Sequence, residues 1–283
     1  MKKLLVPLLG DAQDDVALYG ASALAATHGA NIEAHLFLRD PIDVVPFVGE
    51  GVSADVIDKI LESAKETAKV ISAASKTRFK QWCEKENISD SGGAIEGAMS
   101  ATLDENVGNI PASLIPFARA ADMAVFACKS DDWNVDREPM LRAAIFESGR
   151  PVLLVPNETV PSIGKKIVVT WNGSAEAARA VAVAMPTLMA AEAVIVLTVR
   201  DHNEAEPESV ANTLRLNGIN ASANIVSEAA GGVSETLIDE ARKIEADLLV
   251  IGAYSHNRLR EFVLGGVTMD YIDGTRIPVL MMH

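Results

Sequence analysis

Lys2-Lys3-Leu4-Leu5-Val6 returns as Lys165-Lys166-Ile167-Val168-Val169, and from each start the chain repeats one series of segments. Self-similarity on this scale restricts the fold to two copies of a single supersecondary plan. In the first copy the apolar run leads to an Ala-rich helical segment, residues 14–29, and then to a second apolar run, 32–38, ending in Arg39-Asp40. The second copy passes from 175–190 into 193–199 and ends in Arg200-Asp201. Both close alike: Ala121-Asp122-Met123-Ala124-Val125-Phe126 precedes Arg150-Pro151-Val152-Leu153-Leu154-Val155, as Ala246-Asp247-Leu248-Leu249-Val250-Ile251 precedes Ile277-Pro278-Val279-Leu280-Met281. Short apolar runs alternating with helical segments predict βαβ units with right-handed crossovers onto parallel strands. The expected fold class is α/β, two tandem domains each built on a doubly wound parallel sheet. The polar stretch 157–164, with Pro161 and Gly164, divides a domain at 1–156 from one at 164–283.

The copies differ in their middles. In the first, residues 41–52 read as a Pro- and Gly-bearing loop, and Ser53 opens a helical pattern reaching about Glu86. Ala54, Ile57, Ile60, Leu61 and Ala64 form its apolar stripe, and Phe79 and Trp82 are expected to pack on the sheet. Ser91-Gly92-Gly93-Ala94 reads as a turn. In the second copy the middle is shorter: a helix over 204–218, a strand over 221–226, and a helix over 234–245 with Ser234 as its cap. The terminal runs 152–155 and 279–282 would invite aggregation as open sheet edges, so the two domains are expected to pack through these strands or adjoining helices.

A chain of 49% hydrophobic but only 5% aromatic residues builds its core from Ala, Val, Leu and Ile, which suits parallel sheets covered by helices. With 39 acidic against 25 basic residues, the net charge of −14 disfavours nucleic acid and anionic lipid surfaces as partners. Cys83 and Cys128 are distant in sequence and lack metal-ligand spacing, so they read as reduced thiols of a cytoplasmic protein. The apolar start at Leu4 reaches Gly10-Asp11 too soon for a signal peptide, and no run is long enough to cross a bilayer. The histidines show neither nucleophile pairing nor metal spacing, so no catalytic residue and no metal ligand is assigned.

The stretch with most chemistry runs from Ala246 to Pro278. Its apolar strand breaks at Gly252, a small-residue loop carries Ser255, and Gly265-Gly266-Val267-Thr268 follows. Backbone amides and a hydroxyl could converge there on a phosphate where the chain enters a helix. The spacing resembles the nucleotide loop of the universal stress protein family: Gly, two residues, Gly, nine residues, Gly, then Ser or Thr. Ser255 stands at the second glycine, and Gly266 at the hydroxyl residue.

That resemblance spans nearly the whole chain as a tandem pair and implies Rossmann-like, adenine nucleotide α-hydrolase-like domains. It also implies ATP, with Mg, as the bound cofactor. Gly252, Ser255, Gly265, Gly266, Val267 and Thr268 would surround the phosphates, and Thr170, Asn172 and Val199 the nucleoside. Asn172 takes the place of the family's usual aspartate. The first copy lacks a glycine pair at this spacing and carries Asp131, Asp132 and Asp136 instead, so its site reads as degenerate. The resulting expectation is a stress-response protein that binds an adenine nucleotide in its C-terminal domain and signals to a protein partner, with homo-oligomers left open. The rival readings are a nucleotide-free dimerisation or scaffold module and a hydrolase.

Overall fold

The computed structural model describes residues 1–44, 53–90, 98–130, 133–158, 160–200, 206–253, 271–272 and 274–283. The first half comprises β1 (Lys3–Leu8), α1 (Gln13–His28), β2 (Asn31–Leu38), a 3-10 turn (Pro41–Val44), α2 (Ala54–Glu86), β3 (Ser100–Val107), α3 (Ile110–Ala120), β4 (Met123–Ala127), α4 (Arg137–Glu147) and β5 (Val152–Val155). The second comprises β6 (Lys166–Thr170), α5 (Ala175–Ala190), β7 (Ala193–Val199), α6 (Pro207–Leu216), β8 (Ala221–Val226), α7 (Gly232–Lys243), β9 (Leu248–Gly252) and β10 (Val279–Met282).

Each half orders its strands in the same doubly wound way, and the two sheets join into one of ten strands, β3-β2-β1-β4-β5-β10-β9-β6-β7-β8. The junction is the only antiparallel pairing among the described strands, with Val279 opposite Leu154, Leu280 opposite Leu153 and Met281 opposite Val152. Two apolar edges thus cover each other, as expected. Alternate residues face opposite cores: Leu4, Val6, Ile167 and Val169 lie under α1 and α5, and Leu5, Phe126, Val168 and Leu249 lie under the helices of the other face. Burial on both sides explains why these strands read as unbroken apolar runs.

The repeated Ala-Asp pair has a structural cause. Asp122 accepts the backbone N–H groups of Lys2 (2.6 Å) and Lys3 (3.1 Å) at the start of β1. Asp247 does the same for Lys165 (3.1 Å) and Lys166 (2.9 Å) at the start of β6. Burial alone would raise the pKa of Asp122, but the two amides reverse that and hold it below the ordinary carboxylate value.

Four expectations change. The second strands align one residue differently from the sequence repeat, because Lys3 pairs with Asn31 and Lys166 with Ala193. Phe37, rather than Leu38, is therefore the counterpart of Val199, and both face the same core. Strand β3 did not announce itself, since Asp104, Glu105 and Asn106 give it polar residues suited to a sheet edge. Ser234 is not the N-cap: α7 starts at Gly232 behind Gly231, leaving Ser234 inside the first turn. Finally, α2 spans the expected length, yet only Ser75, Phe79, Trp82 and Cys83 are buried on it, so the stripe from Ala54 to Ala64 does not reach either core.

Candidate functional site

Where strand order reverses, adjacent crossovers leave the sheet on opposite faces and open a crevice at the carboxyl ends. In the second half this point lies between β6 and β9, which pair through Ile167–Leu248, Val168–Leu249 and Val169–Val250. Thr170 ends β6 and donates its hydroxyl to the Val250 carbonyl (3.3 Å), tying the two strands at the crevice. The Asn172 carboxamide oxygen accepts the Ser174 N–H (3.1 Å), and the Ser174 hydroxyl accepts the Ala177 N–H (3.1 Å), capping α5. Asn172 therefore shapes the turn that delivers the α5 N-terminus, whose remaining amides favour an anion. Thr198 donates to the Trp171 carbonyl (2.8 Å) and fixes the neighbouring loop to β7. Val199 ends β7 and is buried against the second core.

Gly252 ends β9 in a position no side chain could share. An added Cβ would lie 2.3 Å from the Ala177 nitrogen and 2.5 Å from the Glu176 carbonyl carbon, both backbone atoms. The glycine is thus what lets β9 approach the first turn of α5. The structure brings Thr170, Asn172, Val199 and Gly252 to the carboxyl ends of β6, β7 and β9. Ser255, Gly265, Gly266, Val267 and Thr268 lie outside the described residues. Cradle and helix terminus suit a nucleoside with a phosphate beside it; the phosphate loop itself rests on sequence. Among the described residues no cluster of His, Cys, Asp or Glu could hold a metal ion, and no helix is long and apolar enough to cross a membrane.

The equivalent point of the first half is filled by protein. Arg137, wholly buried at the start of α4, contacts Asp11 (2.7 Å) and Asp14 (2.8 Å), while its Nε and Nη1 find no acceptor among the described residues. Asp14 also accepts the N–H groups of Leu9 (3.0 Å) and Gly10 (2.7 Å). Burial raises the Asp14 pKa, opposed by the Arg137 guanidinium. From above, Arg78 of α2 donates to the carbonyls of Gly10 and Asp11 (2.7 Å each). Asp136, expected as a repulsive charge, is instead paired with Arg39, through Nε (2.6 Å) and through Nη2. Asp131 and Asp132 lie outside the described residues. The sequence reading missed Arg137; its trace was an arginine at a helix start facing two aspartates after the first strand, legible only once the strands are adjacent.

Residues 164–283 match the family model of the universal stress protein family. A universal stress protein from Archaeoglobus fulgidus DSM 4304 has a similar structure over 99% of this chain and 97% of that one, at 14% identity and a TM-score of 0.67. A functionally unknown protein from Pseudomonas aeruginosa PAO1 is similar over 100% of this chain and 92% of that one, at 14% identity and a TM-score of 0.55. Identities this low speak for the fold alone. No curated protein matches the sequence. Residues 164–283 are thus similar to the universal stress protein family, and an N-terminal half of the same strand order gives the whole chain an architecture that fits the tandem, two-domain type of that fold.

Proposed function

We propose that the chain binds an adenine nucleotide, ATP with Mg, in the crevice between β6 and β9, and that a protein partner reads the bound state in a stress response. The supporting observation is the placing of Thr170, Asn172 and Gly252 at the carboxyl ends of β6 and β9 beside the amide-bearing start of α5, with Val199 at the end of the neighbouring β7. Thr170, Asn172 and Val199 would surround the nucleoside. Gly252, Ser255, Gly265, Gly266, Val267 and Thr268 would serve the phosphates. The arrangement supplies binding rather than a nucleophile and base, so occupancy is the functional variable.

The competing scaffold reading draws on the two departures in the glycine motif and on the packing role of Gly252. Isothermal titration of the full chain with ATP and ADP separates the two. One nucleotide per chain is expected, and the double variant Ser255→Gly/Gly266→Ser tightens binding by restoring the family pattern. Absence of heat and of any thermal shift at millimolar nucleotide overturns the proposal. A double variant that folds but binds no better removes these two positions from the site. Phosphate release above background that disappears in Gly265→Val would convert the reading to a hydrolase.

A further inference from the structure

The first half contains a second space unrelated to the glycine motif. A cavity of about 570 Å³ lies between α2 and the carboxyl ends of the first-half strands, within the size range of small-molecule sites. Leu9, Phe37, Leu38 and Ile110 form its strand side. On the helix side Val56, Ile60, Ala64, Ala68 and Ile71 recur at helical spacing, so this is one continuous apolar face of α2.

That face explains the opening stretch of α2, residues 54–64, none of which joins either core. The helix is anchored further along, where Phe79, Trp82 and Cys83 are buried and Arg78 grips the Gly10–Asp11 backbone. At Gly10 the contact is intimate: a Cβ there would lie 2.3 Å from Ile71 Cγ2. Before Ala68 the helix contributes to neither core, and apolar residues of α2 and of the strand ends line the gap. Leu9 and Phe37 stand where the second half has Asn172 and Val199. The polar group is thus replaced by an aliphatic one, and the valine by an aromatic ring.

Charge narrows the occupant. Arg39 and Asp136 at the rim neutralise each other. Lys59 makes no ion pair among the described residues, leaving one positive charge on the lining of a protein whose net charge is −14. We infer that this cavity is a binding site for a monoanionic amphiphile: an acyl chain under α2 with its carboxylate at Lys59. It is independent of the nucleotide crevice.

The test uses delipidated full-length protein and laurate below its micelle concentration, followed by calorimetry. One laurate per chain is expected. Ala64→Trp and Ile60→Trp, which fill the cavity from a helix face outside both cores, abolish binding while circular dichroism and melting stay unchanged. Lys59→Met weakens laurate about tenfold, as for loss of a charge-assisted contact, and leaves 1-dodecanol binding unaffected. No saturable laurate binding to the parent chain overturns the site, as does undiminished binding by both folded tryptophan variants. Equal weakening of laurate and dodecanol by Lys59→Met overturns the assignment of the carboxylate.

Discussion

The two switch-point crevices start from the same strand order and end as opposites. In the second half β9 finishes in Gly252 and presses against the start of α5, where Asn172 and Ser174 shape an open turn. In the first half β4 finishes in Ala127, the turn after β1 carries Asp11 and the first turn of α1 carries Asp14, and Arg137 enters from α4 to neutralise them. A guanidinium thus occupies, as part of the protein, the place where an anionic ligand would meet a cation. Above it lies the 33-residue α2, whereas its opposite number α6 has 10 residues. Duplication preserves the scaffold because strand pairing and burial demand it, while a few residues at the strand ends decide which side chains meet at the switch point.

The largest effect is expected from Arg137→Met. It leaves Asp14 buried without its partner, and breaking one side of a buried pair costs about 3–5 kcal/mol. Urea unfolding should show this loss; a change within the noise would mean that the ion pair does not hold the first crevice closed.

Gly252→Val attacks the other crevice. The new side chain must push α5 from β9, at a cost of about 1–3 kcal/mol for overpacking, and nucleotide binding should go with it. Retained ATP affinity in a folded variant would show that the close approach is immaterial to the site.

Cys128→Ala copies the residue at the corresponding position, Ala253. Burial pushes the Cys128 thiol from 9.0 up to about 11. The unfolded thiol ionises first, so stability is unaffected at neutral pH and falls as pH rises from 9.0 towards 11, by about 1.4 kcal/mol per unit. The parent chain should lose stability more steeply than Cys128→Ala in this window; parallel curves would contradict the burial of the thiol.

The smallest effect belongs to Ser174→Ala, which removes the α5 cap and should cost about 1 kcal/mol. A thermal scan together with ATP titration would separate a cap from a ligand contact: a cap alone shifts melting and leaves affinity nearly intact once the variant is folded.

Much of this was legible in the sequence because its signals are local and periodic. Apolar runs buried on both faces, Ala-rich helices between them and the doubled Ala-Asp pair report strands, crossovers and repeat without reference to distant residues. The self-covering of residues 152–155 and 279–282 could be argued from exposed edges alone. The glycine spacing pointed to the carboxyl end of the second sheet, the end at which Thr170, Asn172, Val199 and Gly252 lie. Only the tertiary structure could show why Gly252 is a glycine, because the obstructing atoms belong to Glu176 and Ala177, far away in sequence. It alone set the register that matches Phe37 with Val199, since a slip of one residue leaves an all-apolar strand looking the same. It alone joined Asp11, Asp14 and Arg137, whose charges mean nothing to one another until β1 and β4 pair. And it alone decided that α2 turns Val56, Ile60, Ala64, Ala68 and Ile71 to a cavity, a face that takes in only Ile60 and Ala64 of the expected stripe: amphipathic spacing fixes which residues share a face, whereas what that face meets depends on where the rest of the chain has packed.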